Sequence, residues 1–173
     1  KRLVLYGSGK VGKAFVTLVA ERKPQIGHKY GLNLELAAVV DIGGAAVSKH
    51  DAVPADKLLS HAEKGGSVET LAGYGIAGIS GLEVISSLKA DVLGETTPTN
   101  LIDGQPGRDH MLAALERGID IVSANKGPLV LYYRKIQELA KAKGCRIFMS
   151  AATAAALPTL DVGILCLAGS QII

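Results

Sequence analysis

Cysteine is scarce in this chain: Cys145 and Cys166 are the only two, both in apolar surroundings and without a C-x-x-C spacing. That excludes a disulfide framework and a thiol-ligated metal, and both read as buried, reduced thiols of a cytoplasmic protein. Histidine occurs at His28, His50, His61 and His110, with neither an H-x-x-x-H spacing nor a cysteine pair, so no metal site is expected. No serine stands in G-x-S-x-G, which removes support for triad hydrolysis. An excess of one charge is also missing. The net charge is only +3 and the lysines are scattered, so neither a nucleic-acid footprint nor a membrane-surface face is indicated, and small molecules are the expected partners.

Long apolar runs are equally rare. Lys1-Arg2 leads into only four apolar or aromatic residues before a glycine turn, which is no signal peptide. Residues 150–169 carry a single charge, Asp161, but the stretch is alanine-rich with Pro158 near its middle. It reads as a buried strand followed by a core helix, not as a membrane span. The chain begins at Lys1 instead of a methionine and reads as a trimmed piece. Its 173 residues fit one domain that buries about 70% of its unfolded surface. With 48% apolar residues, 21 glycines and few aromatics, the composition is that of a compact α/β protein.

What is present is concentrated at the start. Leu3-Val4-Leu5-Tyr6 runs directly into Gly7-Ser8-Gly9-Lys10-Val11-Gly12, a strand feeding G-x-G-x-x-G. In that motif the first glycine permits a tight turn, the second lets the backbone approach a pyrophosphate, and the third lets helix and strand pack closely. The phosphates would rest on the free N–H groups and positive dipole end of a helix beginning near Lys10. Val11, Ala14, Phe15, Leu18 and Val19 continue at helical spacing up to Pro24, where a break is expected. Gln25 to Asn33 then reads as a polar connection and Leu34 to Asp41 as a second strand. Asp41 stands where a dinucleotide fold places the acid that takes both ribose hydroxyls of adenosine, which favours NAD and repels a 2′-phosphate. It lies 29 residues beyond Gly12, against about 20 in the usual pattern, and the excess is assigned to an insertion from Pro24 to Gly31.

Gly43 to Gly78 reads as an elaborated connection with one short helix, Ala55 to Lys64. Ser80-Gly81-Leu82-Glu83 makes a capping box that starts a helix through Leu88. Asp91 to Glu95 is a short strand ending in Thr96-Thr97-Pro98-Thr99-Asn100, a polar turn at the carboxyl end of a strand, where open parallel sheets bind ligands. A helix over Pro106 to Arg117 stops at Gly118. A strand from Ile119 to Ser123 then places Ala124-Asn125-Lys126-Gly127-Pro128 at the same edge. A helix from about Leu129 to Lys143, with Tyr132, Ile136, Leu139 and Ala140 on one face, is followed by a strand over Cys145 to Met149. The alternation predicts an α/β fold, a Rossmann-like doubly wound parallel sheet with helices on both faces.

Four segments go beyond a generic fold: Gly94 to Asn100, Asp103 to Gly107, Ala114 to Gly118 and Ile121 to Leu129. In order along the chain they closely resemble the nucleotide-binding domain of homoserine dehydrogenase, most specifically in the T-P-T-N turn and the S-A-N-K-G-P-L segment. The resemblance implies reduction of aspartate 4-semialdehyde to homoserine with NAD(P)H, on the route to threonine, methionine and isoleucine. It implies a nicotinamide pocket lined by Thr97, Pro98 and Asn100 with Ser123 and Asn125, and a lysine, Lys126, beside the substrate. The cofactor-binding set is then Gly7, Ser8, Gly9, Lys10, Val11, Gly12, Asp41, Thr97, Pro98, Asn100, Ser123, Asn125 and Lys126, with Lys126 also catalytic, NAD or NADP as cofactor, and NAD favoured.

The family's E-A-T-V-G-x-G-x-P loop appears here as Ser150 to Pro158, with alanines for glycines and serine for the acid. That departure removes the basis for the alkali-cation site some members build there. By this resemblance residues 1–150 form the dinucleotide-binding domain and 151–173 lead into a substrate and dimerisation domain, the complete protein being a cytoplasmic homodimer. Two other readings stay open on the residues alone: another two-domain amino-acid or aldehyde dehydrogenase, and a module that senses NAD(H) without catalysis.

Overall fold

The structure is a computed structural model and describes residues 1–154 and 162–163. The expectations for Pro158, Asp161, Cys166 and the remainder of the connecting segment fall outside the described residues.

β1 (Arg2–Tyr6) is the central strand, with Leu3 to Tyr6 all buried. A strand that is apolar at every position must be covered on both faces, and two core clusters do this. Leu3 and Leu5 pack with one cluster, Val4 and Tyr6 with the other. α1 (Lys10–Tyr30) follows and runs straight through Pro24, correcting the expected break. Pro24 is exposed, and the helix ends where Gly31 turns left-handed at φ 61° with its N–H on the Gly27 carbonyl. One missing hydrogen bond on a solvent face is tolerated within a long helix, so the supposed insertion is two further turns of α1. Phe15 and Val16 face the core, whereas Val11 and Leu18 are exposed.

β2 (Glu35–Asp41) pairs in parallel with β1. A register irregularity between Leu3 and Val4 sets Leu3 opposite Leu36 and Val4 opposite Ala38, so Ala37 and Ala38 pack with the same cluster. The stretch expected as a connection contains two further strands, β3 (Gly44–Val47) and, beyond α2 (Ala55–Glu63) and a 3₁₀ turn (Val68–Thr70), the edge strand β4 (Gly75–Ala77). Both pair antiparallel. Sequences as short and small as Gly-Ala-Ala-Val and Gly-Ile-Ala carry no readable alternation; β3 folds back on β2 across Ile42-Gly43, and only the pairing of β4 with β3 joins residues far apart in the chain. At Gly44, φ is 144° and a Cβ would lie 2.2 Å from the Ile76 carbonyl oxygen, so only glycine lets β4 come so close.

α3 (Gly81–Ser87), β5 (Val92–Glu95), α4 (Gly107–Glu116), β6 (Asp120–Ser123), α5 (Lys126–Lys143), β7 (Ile147–Phe148) and α6 (Ser150–Ala154) complete the chain as described. The strand expected to open residues 150–169 is thus helical at its start. The sheet order is β4-β3-β2-β1-β5-β6-β7, parallel from β2 to β7. The doubly wound Rossmann-like core is the architecture expected, and the antiparallel pair β3-β4 makes the whole sheet mixed. α1 and α2 cover one face through Val16 and Leu58; α3, α4 and α5 cover the other through Ile85, Met111, Leu115 and Ile136. The chain leaves β1 for one face and β5 for the other. The carboxyl ends of these neighbouring strands therefore flank the topological switch point, where such folds bind ligands.

Candidate dinucleotide site

The turn after β1 is built as its glycines require. Gly7 has φ 92°, donates its N–H to the Val40 carbonyl at 2.9 Å, and would place a Cβ 2.7 Å from the Thr96 backbone. Gly12 lies against the same turn, since its Cβ would come 2.0 Å from the Gly7 oxygen. Gly9 differs: a Cβ there would meet nothing within 4 Å. Gly7 and Gly12 are therefore small because protein fills the space, while Gly9 borders open space at the first turn of α1. No side chain caps that helix and no acid lies in its first turn. Uncapped N–H groups beside an open glycine fit a phosphate.

Ser8 connects the turn to β2. Its N–H donates to Asp41 Oδ2 at 2.9 Å and its hydroxyl donates to the same oxygen, while Ile42 N–H donates to Oδ1 at 2.8 Å. Burial raises the Asp41 carboxyl, but these bonds and the nearby Lys13 outweigh it and hold the group below the ordinary carboxylate range. Asp41, the acid expected to meet a ribose, thus stands at the end of β2 and braces the glycine turn. Between α1 and α2 a cleft adjoins this turn, lined by Ser8, Gly12, Lys13, Val39, Leu58 and His61.

At the carboxyl end of β5, Thr96 donates its hydroxyl to the Tyr6 and Gly7 carbonyls at 2.8 Å each, tying the T-P-T-N turn to the glycine turn. Thr97 is half-buried, and Pro98 is exposed. Asn100 accepts from Ile102 N–H at 2.9 Å and donates to Asp103 at 2.8 Å, which shapes the following loop. α5 begins at Lys126, three residues earlier than expected, because Asn125 caps it by accepting from Gly127 N–H at 3.1 Å. It also kinks at Tyr132, where φ is −131°. Lys126 is exposed at the first position of α5, with its N–H 3.4 Å from Thr99 Oγ1. A Cβ on Gly127 would lie 2.3 Å from the Asn100 oxygen, so the two turns are in close contact.

Ser123 and Asn125 are each 1% exposed. Their polar atoms bond to one another and, through Asn125, to the T-P-T-N turn, which buries them beneath that turn. The residues at the ends of β1, β5 and β6 thus converge on one edge, with Asp41 at the end of β2 beside them.

Sequence reasoning passed over Glu95 and His110. Glu95 is fully buried at the end of β5, its Oε2 3.1 Å from His110 Nδ1. The available signal was an acid closing an apolar strand, a position at which burial forces pairing. Burial, with the Glu95 carboxylate nearby, pushes the Tyr6 hydroxyl well above the usual phenol range, and that hydroxyl donates to the Gly81 carbonyl at 2.5 Å. Cys145 is half-buried and unbridged, and burial raises its thiol. Among the described residues no group of His, Cys, Asp and Glu could hold a metal, and no helix is long and apolar enough to cross a membrane.

Comparison with known proteins agrees with this geometry. The family model described as "Homoserine dehydrogenase, NAD binding domain" matches residues 7–150. The homoserine dehydrogenase of Methanocaldococcus jannaschii is 30% identical over 171 residues, 99% of this chain and 50% of that protein. The NAD(+)-dependent homoserine dehydrogenase of Pseudomonas canavaninivorans is also 30% identical over 171 residues, 99% of this chain and 48% of its own length. A hyperthermophilic archaeal homoserine dehydrogenase solved in complex with NADPH superimposes with a TM-score of 0.80 at 23% identity, over 93% of this chain and 47% of that one, and so shares the fold. The chain spans about half the length of the curated relatives it matches. With the glycine turn, the T-P-T-N turn and the Asn125-Lys126 helix start meeting at one switch point, the chain belongs to the family of homoserine dehydrogenase NAD-binding domains.

Proposed function

We propose that this chain supplies the cofactor half of a homoserine dehydrogenase, the enzyme that interconverts L-aspartate 4-semialdehyde and L-homoserine. The observation that carries the proposal is the convergence of the open Gly9, the uncapped start of α1 and the exposed Lys126 along one sheet edge. Gly7 to Gly12 would hold the pyrophosphate, Asp41 the adenosine ribose, and the T-P-T-N turn the nicotinamide. A bound nicotinamide supplies or accepts the hydride exchanged with the substrate's carbonyl or carbinol carbon. As the carbonyl oxygen gains charge, the Lys126 ammonium stabilises or protonates it; in the reverse direction the amine takes up the hydroxyl proton. Ser123 and Asn125 act from behind, fixing the two turns.

Asp41 favours NAD(H), since its carboxylate would oppose a 2′-phosphate and Ile42-Gly43 after it supply no cation. Lys49 and Lys57, both exposed, are the lysines that could reverse the preference. Residues 1–150 would be the dinucleotide domain and 151–173 the lead into a substrate domain, within a cytoplasmic homodimer. The test is NAD(+)-dependent oxidation of L-homoserine by the complete gene product. Turnover of homoserine well above that of serine or threonine is expected, and its absence with both NAD(+) and NADP(+) would overturn the proposal.

A further inference from the structure

Glu95 is 0% exposed, and a carboxylate taken out of water is strongly disfavoured unless every lone pair finds a donor. Its donors come from three elements. Thr97 gives both its N–H, at 2.9 Å, and its hydroxyl to Oε1; Asn125 Nδ2 stands 3.5 Å from the same oxygen; His110 Nδ1 faces Oε2 at 3.1 Å. His110 is held in turn, edge-on to Tyr6 with ring centroids 4.6 Å apart, and a Cβ on Gly81 would come 2.7 Å from its Nε2. One buried carboxylate therefore ties the turn after β5 to the turn after β6.

The direction of these bonds fixes more than position. A threonine hydroxyl has one proton and two lone pairs. The Thr97 proton goes to Glu95, and one lone pair accepts from Asn125 Nδ2 at 3.0 Å. Asn125 cannot turn round, because its Nδ2 also faces the Pro98 carbonyl at 3.4 Å and its Oδ1 accepts from Gly127 N–H. Protons thus run from Asn125 to Thr97 to Glu95. The half-buried Thr97 hydroxyl has only a lone pair left to offer a ligand.

We propose that Glu95 is a positioning residue which makes Thr97 an obligatory hydrogen-bond acceptor, so that the site selects a ligand group bearing N–H, the carboxamide of a nicotinamide ring. This rests on the dinucleotide reading of the site. The probe pair is NAD(+) and its 3-acetylpyridine analogue, in which a methyl replaces the carboxamide NH₂; the readout is the ratio of their Kd values on the complete gene product. The wild type should favour NAD(+) by roughly three- to tenfold, the scale of one hydrogen bond. T97V should bring the ratio near one. E95A, which frees the Thr97 hydroxyl to rotate and donate to the acetyl oxygen, should narrow it likewise, and E95Q, which keeps an oxygen facing Thr97, should restore it. A ratio unchanged in folded E95A or in T97V overturns the role of Glu95, as does a wild-type ratio of one. If E95A does not fold, T97V decides alone. A wild type that binds neither dinucleotide overturns the reading of the site as well, whereas NAD(+) binding with an unaltered ratio overturns only this inference.

Discussion

At the scale of single residues the site separates groups that face a ligand from groups that hold them. Lys126 is exposed at the start of α5 and, on the proposed function, belongs to the first kind. In the complete enzyme K126A should lower kcat by about 100-fold, the usual scale for a lost proton donor or oxyanion partner, while cofactor affinity changes only a few-fold. Rapid-reaction and steady-state kinetics check this, and a near-wild-type kcat would move the role elsewhere. Asp41 belongs to both kinds on the same proposal. Its folded-state carboxyl is held below the ordinary range chiefly by Ser8 once the opposing effect of burial is overcome. A depressed carboxyl contributes stability above its unfolded pKa of about 3.9 and loses it as the pH falls through the folded value. D41N should therefore be less stable than wild type at neutrality, and the gap should narrow as the pH falls below the unfolded carboxyl value of about 3.9 and through the lower folded one; a gap that persists undiminished in acid would contradict the Ser8–Asp41 pairing. The positions of the glycines, Asp41 and Lys126 at the strand ends were legible because the turns that carry them are written in local spacing. Glu95 and His110 were not, because their significance depends on a pairing across 15 residues that only the sheet and α4 create.

At the scale of elements, what the sequence shows well is what neighbours decide. The capping box at α3 forms as read, with Ser80 Oγ accepting from Glu83 N–H at 3.2 Å and Glu83 Oε2 accepting from Ser80 N–H at 2.8 Å. The strands β3 and β4 were missed because β4 forms only where residues 29 or more apart meet, and β3, though it folds back on β2 through a two-residue turn, is too short and small to show a strand pattern. Pro24 misled for the opposite reason: a local rule was overridden by a helix long enough to absorb one lost bond. Because Pro24 sits on an exposed face inside α1, P24A should stabilise the protein by about 1–3 kcal/mol, visible as a rise of several degrees in Tm. An unchanged Tm would mean that α1 ends near Pro24 after all.

At the scale of the whole molecule, a doubly wound domain provides one wall of a crevice and no more. Hydride transfer needs the reacting carbon held about 3–3.5 Å from its donor, and losing that positioning forfeits roughly 7–11 kcal/mol of barrier lowering. The relatives are about twice as long as this chain. The 173 residues alone should therefore bind NAD(H) without measurable turnover of homoserine, whereas on the proposed function the complete gene product should turn it over; comparable rates from both in one absorbance assay would refute this. The most direct measurement is a calorimetric titration of NADH into the wild type and into G9V. Gly9 has open space where Gly7 and Gly12 have none, and a Cβ there meets no protein atom within 4 Å, so a valine should leave the fold in place and obstruct the ligand. The prediction is saturable binding by the wild type and at least a tenfold loss in G9V with an unchanged circular dichroism spectrum; equal affinity in the two proteins would contradict the assignment of this turn as the phosphate cradle.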